Sequence, residues 1–165
     1  MRSGRTPAER VLPACAGFLL GVLWMDLMFD VQVLRQPGGD PLPEPVLASI
    51  AGYYHRVTTD ASPMGGLIAA VMLVAVVGAL WQLVRGPGLR TAIAALLIAV
   101  PVALALRRIV PDAVRLGLRH DPIDVQSALA RGVCRGHLIC LASVATFLIF
   151  QLRGTTRVNR TSLQK

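Results

Sequence analysis

The sequence lacks the motifs of soluble nucleotide-binding and hydrolytic enzymes. It contains no phosphate-binding G-x-x-x-x-G-K-[ST] loop, no dinucleotide-binding glycine fingerprint and no G-x-S-x-G nucleophile turn. Its three cysteines, Cys15, Cys134 and Cys140, give no disulfide framework. The sequence therefore gives no indication of a nucleotide enzyme, a hydrolase or a disulfide-stabilised domain.

Acidic residues and lysine are also scarce. Nine acids stand against 17 basic residues, of which only Lys165 is a lysine, and the formal net charge is +8. The arginines lie between and beside apolar runs, as the residues that flank membrane helices do, and this placement argues against nucleic acid as a partner. The excess of arginine over lysine, with many alanine, glycine, valine and leucine residues, suggests a bacterial source with a GC-rich genome.

Apolar residues, by contrast, are abundant. They make up 54% of the 165 residues, and the mean hydropathy is +0.59. A soluble core of this size could not bury so much apolar side chain, so the bilayer is the natural alternative solvent. We therefore predict an integral membrane protein of the cell membrane, with the lipid bilayer as its first partner.

Four runs are long enough to cross a bilayer, which takes about 20 mostly apolar residues. They cover residues 11–34, 64–84, 90–110 and 133–152. We predict a single all-α domain, a bundle of four membrane helices, followed by a basic polar tail at 153–165. Four spans place both termini on one side. The 17 basic residues divide almost evenly between the two sides, and we expect the termini to be cytoplasmic.

The connections between the runs carry helix signals of their own. After a segment rich in proline and glycine, Val46, Ile50, Tyr53 and Val57 recur on one helical face, which predicts an interfacial helix before the second span. Three further expectations concern single residues in the spans and their ends: N-caps at Ser62 and Asp124, and a kink at Pro101.

Ionisable side chains from four segments are expected at one depth of this bundle. Asp26 and Asp30 are four residues apart and share one face of the first span. A charged carboxylate at the centre of a membrane helix costs about 2.5–3.5 kcal/mol, so both should face the bundle interior. The other members of the layer are Tyr53, Tyr54, His55, Arg56, Arg107, Arg108, Arg131, Arg135 and His137. We expect Asp26 to pair with an arginine of the third or fourth span, Arg131 and Arg135 being at similar depth.

The layer has three interpretations. It can be an ion-pair clasp that fixes the helix register, or a site for a small molecule or redox chemistry. The third is a metal site built from Asp26, Asp30, His55 and His137. The neighbouring arginines and the lack of the Glu-x-x-His pairs of di-iron bundles argue against the third, so we predict neither a metal nor a cofactor.

The layout resembles that of the anthrone-oxygenase-like family of small membrane proteins. The resemblance rests on a long loop after the first span, on "YYHRVTTDASPM" before the second, on "IAVPVALALRRIVPD" in the third and on "RGVCRGHLICLASVATFLIF" in the fourth. It implies a four-helix membrane bundle and, in some members, cofactor-free oxygenation of a polycyclic aromatic. By position, His137 with Arg135, and His55 with Arg56, would line the pocket.

Two hypotheses about function follow. In the first, the protein binds or oxidises a small hydrophobic molecule of aromatic or quinone type, with His137, Asp30 and Asp26 as catalytic residues. Its substrate-binding residues would be Arg135, Arg131, His55, Arg56 and Tyr54. In the second, the protein is a non-enzymatic accessory or scaffold subunit that binds a membrane-protein partner, and the ionisable layer is a structural clasp.

Overall fold

The structure, a computed structural model, describes residues 7–36, 38, 41–60 and 62–162, which are almost entirely helical and include no β-strand. The helices are α1 (Pro7–Asp30), α2 (Glu44–His55), α3 (Ser62–Arg85), α4 (Leu89–Leu104), α5 (Val110–Leu118) and α6 (Ile123–Ser162). A 3-10 turn, Val31–Arg35, continues α1, and π-helical turns occupy Arg56–Asp60 and Ala105–Ile109. The predicted all-α class is confirmed.

In the described part of the chain, four helical segments are long and apolar enough to cross a membrane. They are Val11–Arg35, Pro63–Arg85, Leu89–Leu118 and Ile123–Arg153. The helix α1 packs against α3 and α6, and α4 packs against the same two helices, so the four form a closed ring. The chain is thus a multi-pass helical bundle, as the four apolar runs predicted.

Small residues allow the helices of this ring to approach closely. A Cβ atom on Gly78 of α3 would lie 2.8 Å from Cδ2 of Leu12 in α1, and Ala75 and Ala79 are buried beside it. The outward side of α3 exposes leucine and valine side chains, among them Leu73 and Val77. This division of small residues inward and branched residues outward suits a helix that faces lipid, because packing between membrane helices depends on close backbone approach.

The helices α2 and α5 pack against each other at one end of the bundle. A Cβ atom on Gly117 would lie 2.9 Å from the backbone nitrogen of His55, so the two backbones meet at this glycine. In α2, Ile50 is buried, and Val46, Tyr53 and Val57 pack around the same core. The helix and its apolar face agree with the prediction for the long loop, and its tyrosines are held against α1 and α6.

The third span is longer than the sequence predicted. The predicted span ended near residue 110, but the helix continues through the π-helical turn to Leu118. Pro111 is the second residue of α5 and directly follows the π-helical turn, whose irregular hydrogen bonding accommodates a nitrogen that cannot donate. The segment ends at Arg119, which has a left-handed φ of 56°.

Pro101 lies inside α4 and is buried, and the irregular turn begins four residues after it.

The predicted N-caps are displaced as well. Ser62 is the first residue of α3, and Asp124 is the second residue of α6, so neither position is the N-cap that was expected. Asp124 still places a negative charge in the first turn, where it complements the helix dipole. The predicted tail continues α6 as a helix to Ser162, and residues 163–165 lie outside the described part of the chain.

Candidate functional site

The centre of the candidate site is a carboxylate–imidazole pair between α1 and α6. Oδ2 of Asp30 lies 2.7 Å from Nδ1 of His137, and the pair is buried, with Asp30 fully inaccessible to solvent. An ionised carboxylate can only accept hydrogen bonds, so Nδ1 carries the hydrogen when Asp30 is charged. This bond orients the ring and leaves its other nitrogen, Nε2, as the acceptor of a neutral imidazole.

Two tyrosines of α2 complete the site by donating hydrogen bonds to the aspartates. The hydroxyl of Tyr54 donates to Oδ1 of Asp30 at 2.7 Å and lies 3.4 Å from Nδ1 of His137. The hydroxyl of Tyr53 donates to Oδ1 of Asp26 at 2.6 Å. The ring of Tyr53 also stacks on Phe29 with the ring centroids 4.1 Å apart, which fixes its direction. We call Asp26, Asp30, Tyr53, Tyr54 and His137 the aspartate–histidine cluster.

The cluster has one edge at which two polar atoms face each other without a hydrogen bond. Nε2 of His137 lies 3.7 Å from Oδ2 of Asp26, beyond the usual hydrogen-bond distance. The Asp26 side chain is 16% exposed, whereas that of Asp30 has no exposed surface. A neutral imidazole and an ionised carboxylate would both be acceptors here, so the edge favours either one shared proton or the hydroxyl group of a bound molecule.

The tyrosines remain hydrogen-bond donors over a wide pH range. Burial raises the pKa of Tyr54 well above its usual value, and the neighbouring Asp30 adds to this. Burial also raises the pKa of Tyr53, and its hydrogen bond to Asp26 adds to that shift. A tyrosinate in either place would stand beside a carboxylate in a poorly solvated site, so both hydroxyls stay protonated at neutral pH.

The structure brings together part of the predicted set of site residues. Asp26, Asp30, Tyr54 and His137 meet as expected. His55 and Arg56 are exposed instead, and Nε of Arg56 donates to the carbonyl oxygen of Gly52. They follow Tyr54 at the end of α2, where the next positions turn away from the buried face.

The arginine partner expected for Asp26 is replaced by histidine and tyrosine. Arg135 is exposed and lines a separate groove with Arg108 and Asp112, so its predicted pairing with Asp26 is wrong. Arg131 is half-buried. Consecutive helical positions differ by about 100°, so Arg135 points roughly opposite to His137 on the same helix. The contacts found for Asp26 are therefore with Tyr53 and His137.

Among the described residues, no group of three or more His, Cys, Asp or Glu side chains has the arrangement of a metal site. His55, a member of the metal site considered from the sequence, is exposed at the end of α2. The absence of a bound metal or cofactor stays a prediction.

The sequence placed Tyr53 in the ionisable layer but not among the predicted substrate-binding residues. Its position on the predicted apolar face of α2, next to Tyr54, was the available signal, because two adjacent tyrosines that enter a layer with two aspartates offer two donors. The chain matches no family model, no curated protein and no solved structure.

Proposed function

We propose that this membrane protein binds a small hydrophobic molecule with an acidic hydroxyl group, of phenolic or quinol type, and accepts its proton at the edge between His137 and Asp26. The observation that carries the proposal is the oriented imidazole. Asp30 holds Nδ1 of His137 at 2.7 Å, while Nε2 faces Asp26 at 3.7 Å without a hydrogen bond. A histidine held by a carboxylate on one nitrogen and available on the other has the arrangement of a general base.

The proposed steps use only the residues of the cluster. The hydroxyl of the ligand donates to Nε2 of His137 and transfers its proton there, which gives an imidazolium between two carboxylates and a ligand anion. Asp30 and Asp26 stabilise the positive ring by charge. The Tyr53 hydroxyl can turn from Asp26 to the ligand oxygen and stabilise the anion by a hydrogen bond. Return of the proton restores the starting state, so the cycle balances without an oxidant.

The resemblance to the anthrone-oxygenase-like family supports an aromatic ligand and extends the proposal to its oxygenation, for which dioxygen would be the co-reactant. We further propose that the protein resides in a bacterial cell membrane with both termini cytoplasmic. These points rest on the sequence patterns described above.

Alizarin, a hydroxyanthraquinone whose visible absorption changes when its phenol ionises, provides a test. We expect the purified chain in detergent to bind it and to shift its spectrum towards the phenolate at a pH where free alizarin is neutral. His137→Gln should weaken the phenolate complex about tenfold or more, since a hydrogen bond to a charged group contributes about 1.5–3 kcal/mol. His55→Gln, which changes an exposed histidine outside the cluster, is the matched control and should behave like the unchanged protein. Equal spectra for His137→Gln and His55→Gln would contradict the proposal.

A second candidate function is that of an accessory subunit, with the cluster as a structural clasp. The observation that favours it is that the hydrogen bonds of Asp26, Asp30 and both tyrosines all run within the protein and tie α1, α2 and α6 together. Gentle purification from native membranes distinguishes the two. A stoichiometric membrane-protein partner supports the subunit, and a co-purifying aromatic molecule supports the binding protein.

A further inference from the structure

A surface groove lies between the third and fourth membrane segments, apart from the aspartate–histidine cluster. Its volume is about 250 Å³, and it is lined by Leu104, Arg108, Asp112, Gly132, Arg135 and Ile139. At its floor α6 approaches the π-helical turn so closely that a Cβ atom on Gly136 would lie 2.8 Å from Cγ1 of Ile109. No atom lies within 4 Å of where a Cβ atom on Gly132 would stand. Gly136 therefore allows the two segments to touch at the floor of the groove, and Gly132 leaves the surface beside it open.

The groove carries two arginines and one aspartate. Arg108 and Arg135 are both exposed, and of the ion pairs between described residues none includes either of them. Asp112 is half-buried, and the three side chains together have a formal charge of +1. Two guanidinium groups beside each other recognise phosphate oxygens well, because each presents a planar fork of donors.

The chemistry of the groove lining changes along the length of the two membrane segments. Leu104 lies one turn before Arg108, and Ile139 lies one turn after Arg135, in two helices that run in opposite directions. Both apolar residues therefore lie on the side of the arginines that is nearer the middle of the spans. Asp112 lies on the outer side. From inside to outside, the groove is apolar, then positive, then acidic.

We propose that this groove binds one phospholipid with a singly charged phosphodiester and a hydroxylated headgroup, of the phosphatidylglycerol type. Arg108 and Arg135 bind the phosphate oxygens, and Asp112 accepts a hydrogen bond from a glycerol hydroxyl. An acyl chain follows Leu104 and Ile139 towards the hydrocarbon. Basic pockets between membrane helices bind anionic headgroups in this way.

The charge of the groove selects this class of lipid. A single phosphodiester neutralises the +1 of the three side chains. A phosphate monoester brings more negative charge next to Asp112, and a zwitterionic lipid leaves the positive charge uncompensated. A neutral hydroxyl beside the phosphate also gives Asp112 a donor without a second charge.

Competition binding tests the proposal. Fluorescently labelled phosphatidylglycerol is bound to the purified full chain in detergent and displaced by unlabelled phosphatidylglycerol, phosphatidic acid, phosphatidylcholine or inorganic phosphate. We expect phosphatidylglycerol to compete best. Arg108→Gln and Arg135→Gln should each weaken binding about fivefold, since one basic residue near an anionic membrane surface contributes about 1 kcal/mol. Arg107→Gln removes the same charge at the neighbouring exposed position outside the groove and should leave the affinity unchanged.

The Asp112→Asn variant separates headgroup recognition from simple charge attraction. It should reduce the preference for phosphatidylglycerol over phosphatidic acid, because the hydroxyl loses its charged acceptor. An unchanged preference would overturn the assignment of the hydroxylated headgroup. Equal losses in Arg107→Gln and the groove variants would overturn the site, as would equal competition by phosphatidylcholine. Displacement by inorganic phosphate as effective as that by the lipid would show a free-anion site instead.

Discussion

Asp30 shows how a fully buried carboxylate can be accommodated in a membrane helix. Its side chain has no exposed surface, and its two oxygens accept from Tyr54 and contact His137. A charge transferred alone into such a place costs several kcal/mol, so the partners are as necessary as the aspartate itself. Asp26, one turn earlier, remains partly exposed and keeps one oxygen towards His137. The two aspartates therefore differ in role, with Asp30 orienting the ring and Asp26 facing the available nitrogen.

The tyrosine hydroxyls should contribute unequally to stability. Tyr54→Phe removes the donor of a fully buried carboxylate, and we expect a loss of about 1.5–3 kcal/mol in the free energy of unfolding. Tyr53→Phe keeps the ring that stacks on Phe29, and the more exposed Asp26 can recover a partner, so its loss should be about half as large. Denaturation of both variants in the same detergent measures the difference. A larger loss for Tyr53→Phe would mean that Asp26, and not Asp30, is the more dependent carboxylate.

Both tyrosines should resist ionisation in the folded protein. They are the only two in the chain, so the tyrosinate absorption band reports on this site alone. Burial and the aspartates raise the pKa of each, so we expect the tyrosinate band of the folded protein to appear only at a pH clearly above the midpoint near 10 that is found after unfolding. Because the folded pKa values are raised, their contribution to stability is complete below pH 10 and declines as the pH rises above it. A folded-state midpoint near 10 would contradict the described burial.

At the scale of helices, the apolar runs predicted the four spans, but the irregular turns were not predictable from them. Mean hydropathy describes a whole run of residues and does not show where its helix becomes irregular. A proline inside the run shows only that one backbone hydrogen bond is missing. The predicted third span ended at residue 110, where the apolar run gives way to Pro111 and Asp112. The π-helical turn at Ala105–Ile109 instead allows a new helix to begin in line with the old one. The long loop was more informative, since the repeat of Val46, Ile50 and Tyr53 marked a packed face.

The contact between α2 and α5 depends on the small size of one residue. In Gly117→Ala the new methyl group would meet the backbone of His55 at 2.9 Å, and backbone cannot rotate away as a side chain can. We expect a loss of about 1–3 kcal/mol, the usual cost of overpacking, together with weaker placement of Tyr54. Thermal unfolding in detergent measures the first effect, and an earlier tyrosinate transition measures the second.

Gly52→Ala is the matched control for this substitution. It lies in α2, and no atom lies within 4 Å of the position of its Cβ atom. Alanine in a helix interior is favoured over glycine by roughly 0.5–1 kcal/mol, so Gly52→Ala should be neutral or stabilising. Similar losses in both variants would indicate a general sensitivity of α2 and not a close contact at Gly117.

For the whole molecule, the sequence predicted which segments meet, but it predicted only some of the side-chain contacts between them. Depth along each span brought Asp26, Asp30 and His137 to one layer. Depth does not give the direction around the helix, and the choice of an arginine partner for Asp26 followed only from the similar depth of Arg131 and Arg135. The buried face of α6 contained the missing information. Ala130, Val133, Cys134, His137 and Cys140 recur at helical spacing and are all buried, which turns Arg135 outward.

The four-span arrangement makes a prediction about both ends of the chain and its loops. The native cysteines Cys15, Cys134 and Cys140 are buried, so a background with all three replaced by alanine gives a clean reference for labelling. In that background, Ser162→Cys and Gly86→Cys should react with an impermeant maleimide from one face of the membrane. His120→Cys, in the connection between α5 and α6, should react only from the other face.

The reason for this pattern is energetic. Each connection carries charged side chains and the unpaired backbone groups of the helix ends. These groups cannot remain in the hydrocarbon, so every span must cross the bilayer completely. Ser3→Cys, at the other end of the chain, should then label together with Ser162→Cys, because an even number of crossings returns the chain to its starting side. Permeabilised membranes, in which all four positions should label, provide the control for reactivity. If His120→Cys labels from the same face as Ser162→Cys, α6 does not cross the bilayer, and the ring of four membrane helices is wrong. If labelling of the termini requires access from the cytoplasm, the proposed orientation is confirmed as well.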